Sequence, residues 1–172
     1  MLPTIKKILY ATDLSKNSAF ALSYAVNAAI SYDADLVIVH VLEPINPTVE
    51  NVLIGKLGDT FLSEDFNERS DEAKTGIHQR LERVLGEIES ETAAKLRSKI
   101  DMTICKGFPP EQILGKADDL NCDAIVMGTH GKGFLSQTFL GSMAKMVLRR
   151  TRKPVFIIPL PNEASGLTTK QG

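Results

Sequence analysis

A chain of 172 residues, 43% hydrophobic and 24% charged, has room for one domain with a sizeable core and is short for two. Its formal charge of −1 removes any global electrostatic case for nucleic acid or an anionic membrane, so an anion site would have to be local. No apolar run approaches the roughly 18 residues of a membrane span, and Met1 to Lys7 lacks the basic and apolar regions of a signal peptide. The expectation is therefore a cytoplasmic protein with neither nucleic acid nor membrane as partner.

In chain order, Ile5–Tyr10 reads as a strand ending at Ala11-Thr12-Asp13. Asp13 and Ser15 are N-cap candidates for a helix across Ala19–Ser31, where Ala21, Leu22, Ala25, Ala28 and Ala29 recur at helical spacing. Asp35–Leu42 is a valine-rich apolar run too short for a helix, as expected of a strand buried on both faces. Glu43–Thr60 holds Pro44, Pro47, Gly55 and Gly58 without a stable period and reads as a loop.

From Phe61 to Ser98 the period is helical. Ile77, Leu81, Val84, Leu85 and Ile88 form one stripe, and Glu82, Arg83, Glu87, Glu89 and Glu91 a solvated side. Ile100–Cys105 reads as a strand, and the prolines of Gly107-Phe108-Pro109-Pro110 open a helix running to about Leu120. Asp123–Met127 is a second doubly buried strand, followed by a loop, a helix over Ser142–Thr151 and a last strand at Pro154–Ile158. Cys105 and Cys122 have neither CxxC spacing nor a histidine at ligand distance in sequence, and read as structural thiols. The expected organisation is a domain over 1–160 and a disordered tail over 161–172.

Strands alternating with helices predict an α/β fold: an open, doubly wound parallel sheet of five strands, order 3-2-1-4-5, with helices on both faces. Such sheets bind ligands beyond the carboxyl ends of their strands, where the strand order reverses. Two strand ends carry unusual chemistry here. The first closes with Ala11-Thr12-Asp13, and the fourth opens into residues 128–142, which contain Gly128, Gly131, Gly133 and Gly141. Glycines let backbone N–H groups approach a ligand closely, and a helix N-terminus adds its dipole, so a phosphate chain is the natural guest. Lys132 adds a positive charge inside the loop and Ser142 a hydroxyl. A merely flexible surface loop, with Ser142 as a plain N-cap, is the competing reading.

Two standard phosphate motifs fail. Gly128 and Gly133 have P-loop spacing, but Phe134-Leu135 follow where Lys and Ser or Thr belong. The dinucleotide fingerprint meets Gly131 and Gly133, then fails at Ser136, and it belongs after the first strand, not the fourth. What fits is Gly128-x-x-Gly131, nine residues, then Gly141-Ser142.

On these residues the chain resembles the universal stress protein family, in particular its ATP-binding branch with G-x2-G-x9-G-[ST]. The resemblance extends to Lys7–Ser15 as the opening strand and turn, Val39-His40-Val41 as the second strand end, Gly107-Phe108-Pro109 as the G-x-P turn, and Pro154–Ile158 as the last strand. It implies ATP, or ADP or AMP, as ligand, with magnesium riding only on the phosphates. Asp13 would contact the ribose, Ala11 and Thr12 would border the adenine, and Val41 would meet the base. Met127 would lead into the phosphate loop. Gly128, Gly131, Gly141 and Ser142 would cradle the phosphates, with Thr129, His130, Lys132, Gly133 and Phe134 forming the loop between. Met143 and Ala144 would extend the helix-start contacts, where relatives often place Val and Thr, so a hydroxyl is missing there. Many relatives also have proline where Ala11 stands. The resemblance further implies a homodimer formed through the Pro154–Ile158 edge strand.

Phosphoryl transfer needs metal-binding carboxylates or a residue that positions water. Apart from Asp13 the proposed pocket holds no obvious carboxylate, and His130 has no neighbouring carboxylate to orient it. His40 reads as a satisfied strand-end residue. Neither a catalytic residue nor a protein metal site is readable, which favours nucleotide-dependent stress or signalling function with at most slow ATP hydrolysis. Two rivals stand beside it. One is an adenylyl- or phosphoryl-transferring enzyme of a related fold, against which the missing P-loop and missing histidine-rich signatures count. The other is a protein-interaction module of the family's non-nucleotide branch, which usually lacks these glycines.

Overall fold

The computed structural model describes residues 1–58, 60–129 and 140–159. The expected tail over 161–172 lies outside them. In chain order the elements are β1 (Lys7–Thr12), α1 (Lys16–Tyr32), β2 (Asp35–Leu42), α2 (Pro47–Leu57), α3 (Phe61–Leu85), α4 (Ser90–Arg97), β3 (Ile100–Lys106), α5 (Pro109–Asp119), β4 (Ala124–Gly128), α6 (Ser142–Arg150) and β5 (Val155–Ile158). The strands form one parallel sheet of order β3-β2-β1-β4-β5, as the alternation of elements predicts.

Side chains alternate across the sheet, and each face buries its own layer. Ile8, Tyr10, Leu36, Ile38 and Val126 pack against α1, α3 and α4 through Leu22, Val26, Ile77, Leu81, Leu85 and Leu96. Leu9, Val37, Val39, Ile125 and Met127 pack on the other face against Ile113 and Ala117 of α5 and Ala144 and Val147 of α6. Each fully buried Ile, Leu or Val contributes about 1.5–3 kcal/mol, so these two layers dominate stability. Cys122 is buried in the second layer and Cys105 half-buried at its rim. Burial pushes both thiols above the usual cysteine range.

Ser15 is the N-cap of α1, its Oγ accepting from the Ser18 N–H at 3.1 Å, so the helix starts at Lys16 rather than near Ala19. Two larger expectations need correction. Glu43–Thr60, expected as a loop, contains α2. Asn46 caps it, its side-chain oxygen accepting from the Thr48 N–H at 2.9 Å, and Pro47 sits in the first turn, where its missing N–H has no cost. Gly58 ends it at φ 87°, its own N–H donating to the Ile54 carbonyl at 2.9 Å. None of the residues of α2 is buried, so no apolar stripe announces it.

The single helical stretch expected over Phe61–Ser98 divides in two. α3 stops at Leu85 with Gly86 as C-cap, and three-residue turn bonds from the N–H groups of Glu87 and Ile88 to the carbonyls of Val84 and Leu85, at 3.1 and 3.4 Å, turn the chain. α4 then sets Ala93 and Leu96 into the same layer as the stripe of α3. Both segments face one core, so the apolar period continues across the break. α6 ends at Arg150, one residue before the expected Thr151. Among the described residues, no helix is long and apolar enough to cross a membrane.

Candidate functional site

The two central strands separate at their carboxyl ends. β1 pairs with β4 only from Ile8↔Ala124 to Tyr10↔Val126. Past that point Ala11 and Thr12 continue beside Val39 and His40 of β2, whereas Met127 and Gly128 continue beside Ile157 and Ile158 of β5. The sheet thus opens a crevice at the point where the strand order reverses, where open α/β sheets bind ligands.

One lip is the turn from β1 into α1. The Asp13 side chain accepts through Oδ1 from the Ser15 N–H at 2.9 Å, an Asx turn that fixes the carboxylate relative to the backbone. Thr12 Oγ1 accepts from the Leu14 N–H at 3.1 Å and lies 3.0 Å from Ser18 Oγ, so the Thr12 hydroxyl is engaged within the turn. Leu14 sits at φ 62°. Below it the Tyr10 hydroxyl donates to the Ser18 carbonyl, and burial pushes this phenol above its ordinary range. His40 is buried beside Thr12, its Nδ1 2.7 Å from the Thr12 carbonyl oxygen. That is the satisfied strand-end role the sequence predicts for it.

The other lip runs from β4 to α6. The Thr129 N–H donates to the Ile158 carbonyl at 3.0 Å, and the Thr129 carbonyl accepts from the Gly141 N–H at 2.7 Å. That second bond ties the start of α6 to the end of β4. Gly141 is the N-cap of α6 in extended conformation, without a side-chain cap, and the first turn carries no acid. Ser142 is accordingly the first helical residue rather than the cap. The N–H groups of the first turn have no intrahelical acceptor and sit at the positive end of the helix dipole, an arrangement that receives anions.

Ala11, Thr12 and Asp13 thus stand on one lip, with Val41 one strand further out, opposite Cys105 of β3. Met127, Gly128, Thr129, Gly141, Ser142, Met143 and Ala144 form the other, Met127 and Ala144 buried and Ser142 exposed. His130, Gly131, Lys132, Gly133 and Phe134 lie outside the described residues. One participant was missed by sequence reasoning. Arg80 of α3 donates to the Ser15 carbonyl at 3.0 Å and to the Leu14 carbonyl. Its only sequence signal is a charge on the half-buried side of a helix whose Ile77 and Leu81 are core.

A five-stranded parallel sheet with a crevice between β1 and β4 at its switch point, bordered by an Asx turn and a glycine-capped helix, defines a doubly wound α/β protein. The chain belongs to the universal stress protein family, whose model matches residues 4–159. It is similar to universal stress protein MJ0577 of Methanocaldococcus jannaschii, 28% identical over 157 residues that cover 91% of this chain and 96% of that protein. The solved structure of MJ0577 matches with a TM-score of 0.68 at 26% identity, over 94% of this chain and 100% of that one. A universal stress protein solved in complex with cAMP matches in fold, with a TM-score of 0.57 at 20% identity over 91% of this chain and 98% of that one.

Proposed function

We propose that this universal stress protein binds ATP in the crevice between β1 and β4, acts in the cytoplasm as a homodimer, and changes its protein contacts with nucleotide state. One observation supports the reading: where β1 and β4 part, Asp13 stands on one lip and Gly128, Gly141 and Ser142 on the other, and in sequence these three belong to a complete Gly128-x2-Gly131-x9-Gly141-Ser142 pattern. The first turn of α6, free of acid and of a side-chain cap, fits a phosphate. Asp13 takes the ribose, Ala11, Thr12 and Val41 the adenine side, and Gly128, Gly131, Gly141 and Ser142 the phosphates. Met127 leads into the loop, whose residues Thr129, His130, Lys132, Gly133 and Phe134 surround the phosphate chain. Met143 and Ala144 contribute backbone N–H groups only. Magnesium enters with the phosphates, and hydrolysis is slow because no carboxylate other than Asp13 is assigned to the pocket.

The cAMP complex of a protein with this fold makes AMP and cAMP natural competitors to test beside ATP. For the dimer, β5 lies at the sheet edge with Val155, Phe156 and Ile157 half-buried, and a two-fold pairing of that edge would cover them. Equilibrium titration with ATP, comparing wild type with Gly131→Val, tests the site. Binding by wild type and its loss in the variant is expected; no binding at millimolar ATP, or equal binding by both proteins, removes the assignment. Sedimentation velocity reporting a monomer removes the dimer.

A further inference from the structure

We infer that Arg80 is a positioning residue for the nucleotide crevice: from α3 it holds the β1–α1 turn in the shape that presents Asp13. This rests on the ATP reading above and adds to it a residue outside the family pattern.

Leu14 occupies the left-handed region at φ 62°, which costs a residue with a side chain about 1–2 kcal/mol. Hydrogen bonds within the turn offset part of that cost, and Arg80 adds support from outside it. Its two terminal nitrogens donate to the successive carbonyls of Leu14 and Ser15, across 66 and 65 positions of chain. One turn earlier on α3, Gly76 leaves space against which the Leu14 side chain lies, 3.9 Å from where a Cβ would stand. Ile77 and Leu81, buried in the core, fix the helix that carries both.

The decisive geometry lies in a single peptide unit. The carbonyl of Leu14 and the N–H of Ser15 belong to the same planar group. Arg80 holds its oxygen, and Asp13 Oδ1 holds its N–H at 2.9 Å. A cation on the oxygen polarises the N–H toward the carboxylate, and rotation of this plane would break both bonds together. The orientation of Asp13 is therefore coupled to Arg80 through this peptide unit. Only a fork with two donors in fixed geometry reaches both carbonyls, which a lysine ammonium cannot reproduce.

The test compares binding of ATP and of 2′,3′-dideoxy-ATP, which lacks the hydroxyls assigned to Asp13, by titration calorimetry. Arg80→Ala should weaken ATP by roughly fivefold and dideoxy-ATP by less than about twofold, with Arg80→Lys between wild type and Arg80→Ala. In an Asp13→Ala background the Arg80→Ala effect should vanish, the signature of residues acting through one another. A merely structural arginine would weaken both nucleotides equally, and that result overturns the inference, as does wild-type affinity in Arg80→Ala. Arg80→Gln, which keeps one amide donor, serves the same comparison where Arg80→Ala does not fold. Wild-type protein binding neither nucleotide removes the ATP reading itself. Normal ATP binding in every Arg80 variant removes this inference alone.

Discussion

Gly107 offers a measurable separation of backbone strain from steric clash. It joins β3 to α5 at φ 148°, and its N–H donates to the Leu42 carbonyl at 3.1 Å, closing the edge of the sheet beside Val41. A Cβ added there would lie 2.8 Å from Gln112 Nε2, 3.0 Å from its Cγ and 3.1 Å from its Cδ. Gln112 is a flexible side chain, so its retreat costs about 0.5–1.5 kcal/mol as an off-rotamer shift. The backbone cannot retreat as easily, because φ is set by both the strand end and the first turn of α5; a residue with a Cβ held there costs on the order of 1–3 kcal/mol. Gly107→Ala should thus destabilise by about 2–3 kcal/mol in total, most of it backbone strain. In urea, with a slope of about 2 kcal/mol/M for a domain of this size, the unfolding midpoint should fall by about 1–1.5 M. Adding Gln112→Ala to this variant should restore less than half of the loss. A wild-type midpoint for Gly107→Ala would refute the reasoning. Full recovery in the double variant would refute the assignment to φ and leave the clash as the cause.

Asp33, the left-handed C-cap of α1, pairs with Lys99 and Lys95, which hold its carboxyl down to about 2 from the ordinary 3.8. Since the folded value lies below the unfolded one, its contribution is present above the ordinary value and lost as pH falls from there through about 2. The difference in urea midpoint between wild type and Asp33→Asn should therefore shrink over that window, and shrink also in high salt; a pH-independent difference would contradict it. Ile125, fully buried in the central strand β4, should cost about 2–5 kcal/mol on change to Ala. Leu57→Ser in α2, at 56% exposure, should move the midpoint by less than about 0.5 kcal/mol equivalent. Burial raises both thiols, so thiol-reactive dye at neutral pH should label half-buried Cys105 slowly and Cys122 only on unfolding. Rapid labelling of Cys122 in the folded protein would contradict its place in the core.

Much of the scaffold is legible because burial leaves a local mark. Asp35–Leu42 is covered on both faces and reads as an unbroken apolar run, so the observed β2 has the expected bounds. β1 was expected over Ile5–Tyr10 and lies at Lys7–Thr12. The two residues it gains, Ala11 and Thr12, pair with β2 alone, and their small, polar character reads as a turn. That displacement is informative, because a strand whose last residues look like a turn is one that leaves its neighbour there. The crevice is written into the sequence as an apparent early end of the strand.

The features that escaped detection share a physical cause. α2 buries none of its residues fully and is marked in sequence mainly by its caps, so no strong apolar period announces it. The break at Gly86 escapes because α3 and α4 face the same core on either side of it. The two lips of the crevice differ in the same way. The β4–α6 lip is expected from glycine spacing within fifteen consecutive residues, a pattern local enough to read in the sequence. The β1–α1 lip combines local turn bonds with a guanidinium that reaches it from 65 positions along the chain. Side-chain support of that kind becomes visible only once α3 is docked, since many arginines on a charged helix look alike in sequence. It follows that the two lips should tolerate substitution differently. On the β4–α6 lip a Cβ at a motif glycine should act directly, whereas the β1–α1 lip should respond to changes on α3 far from any ligand.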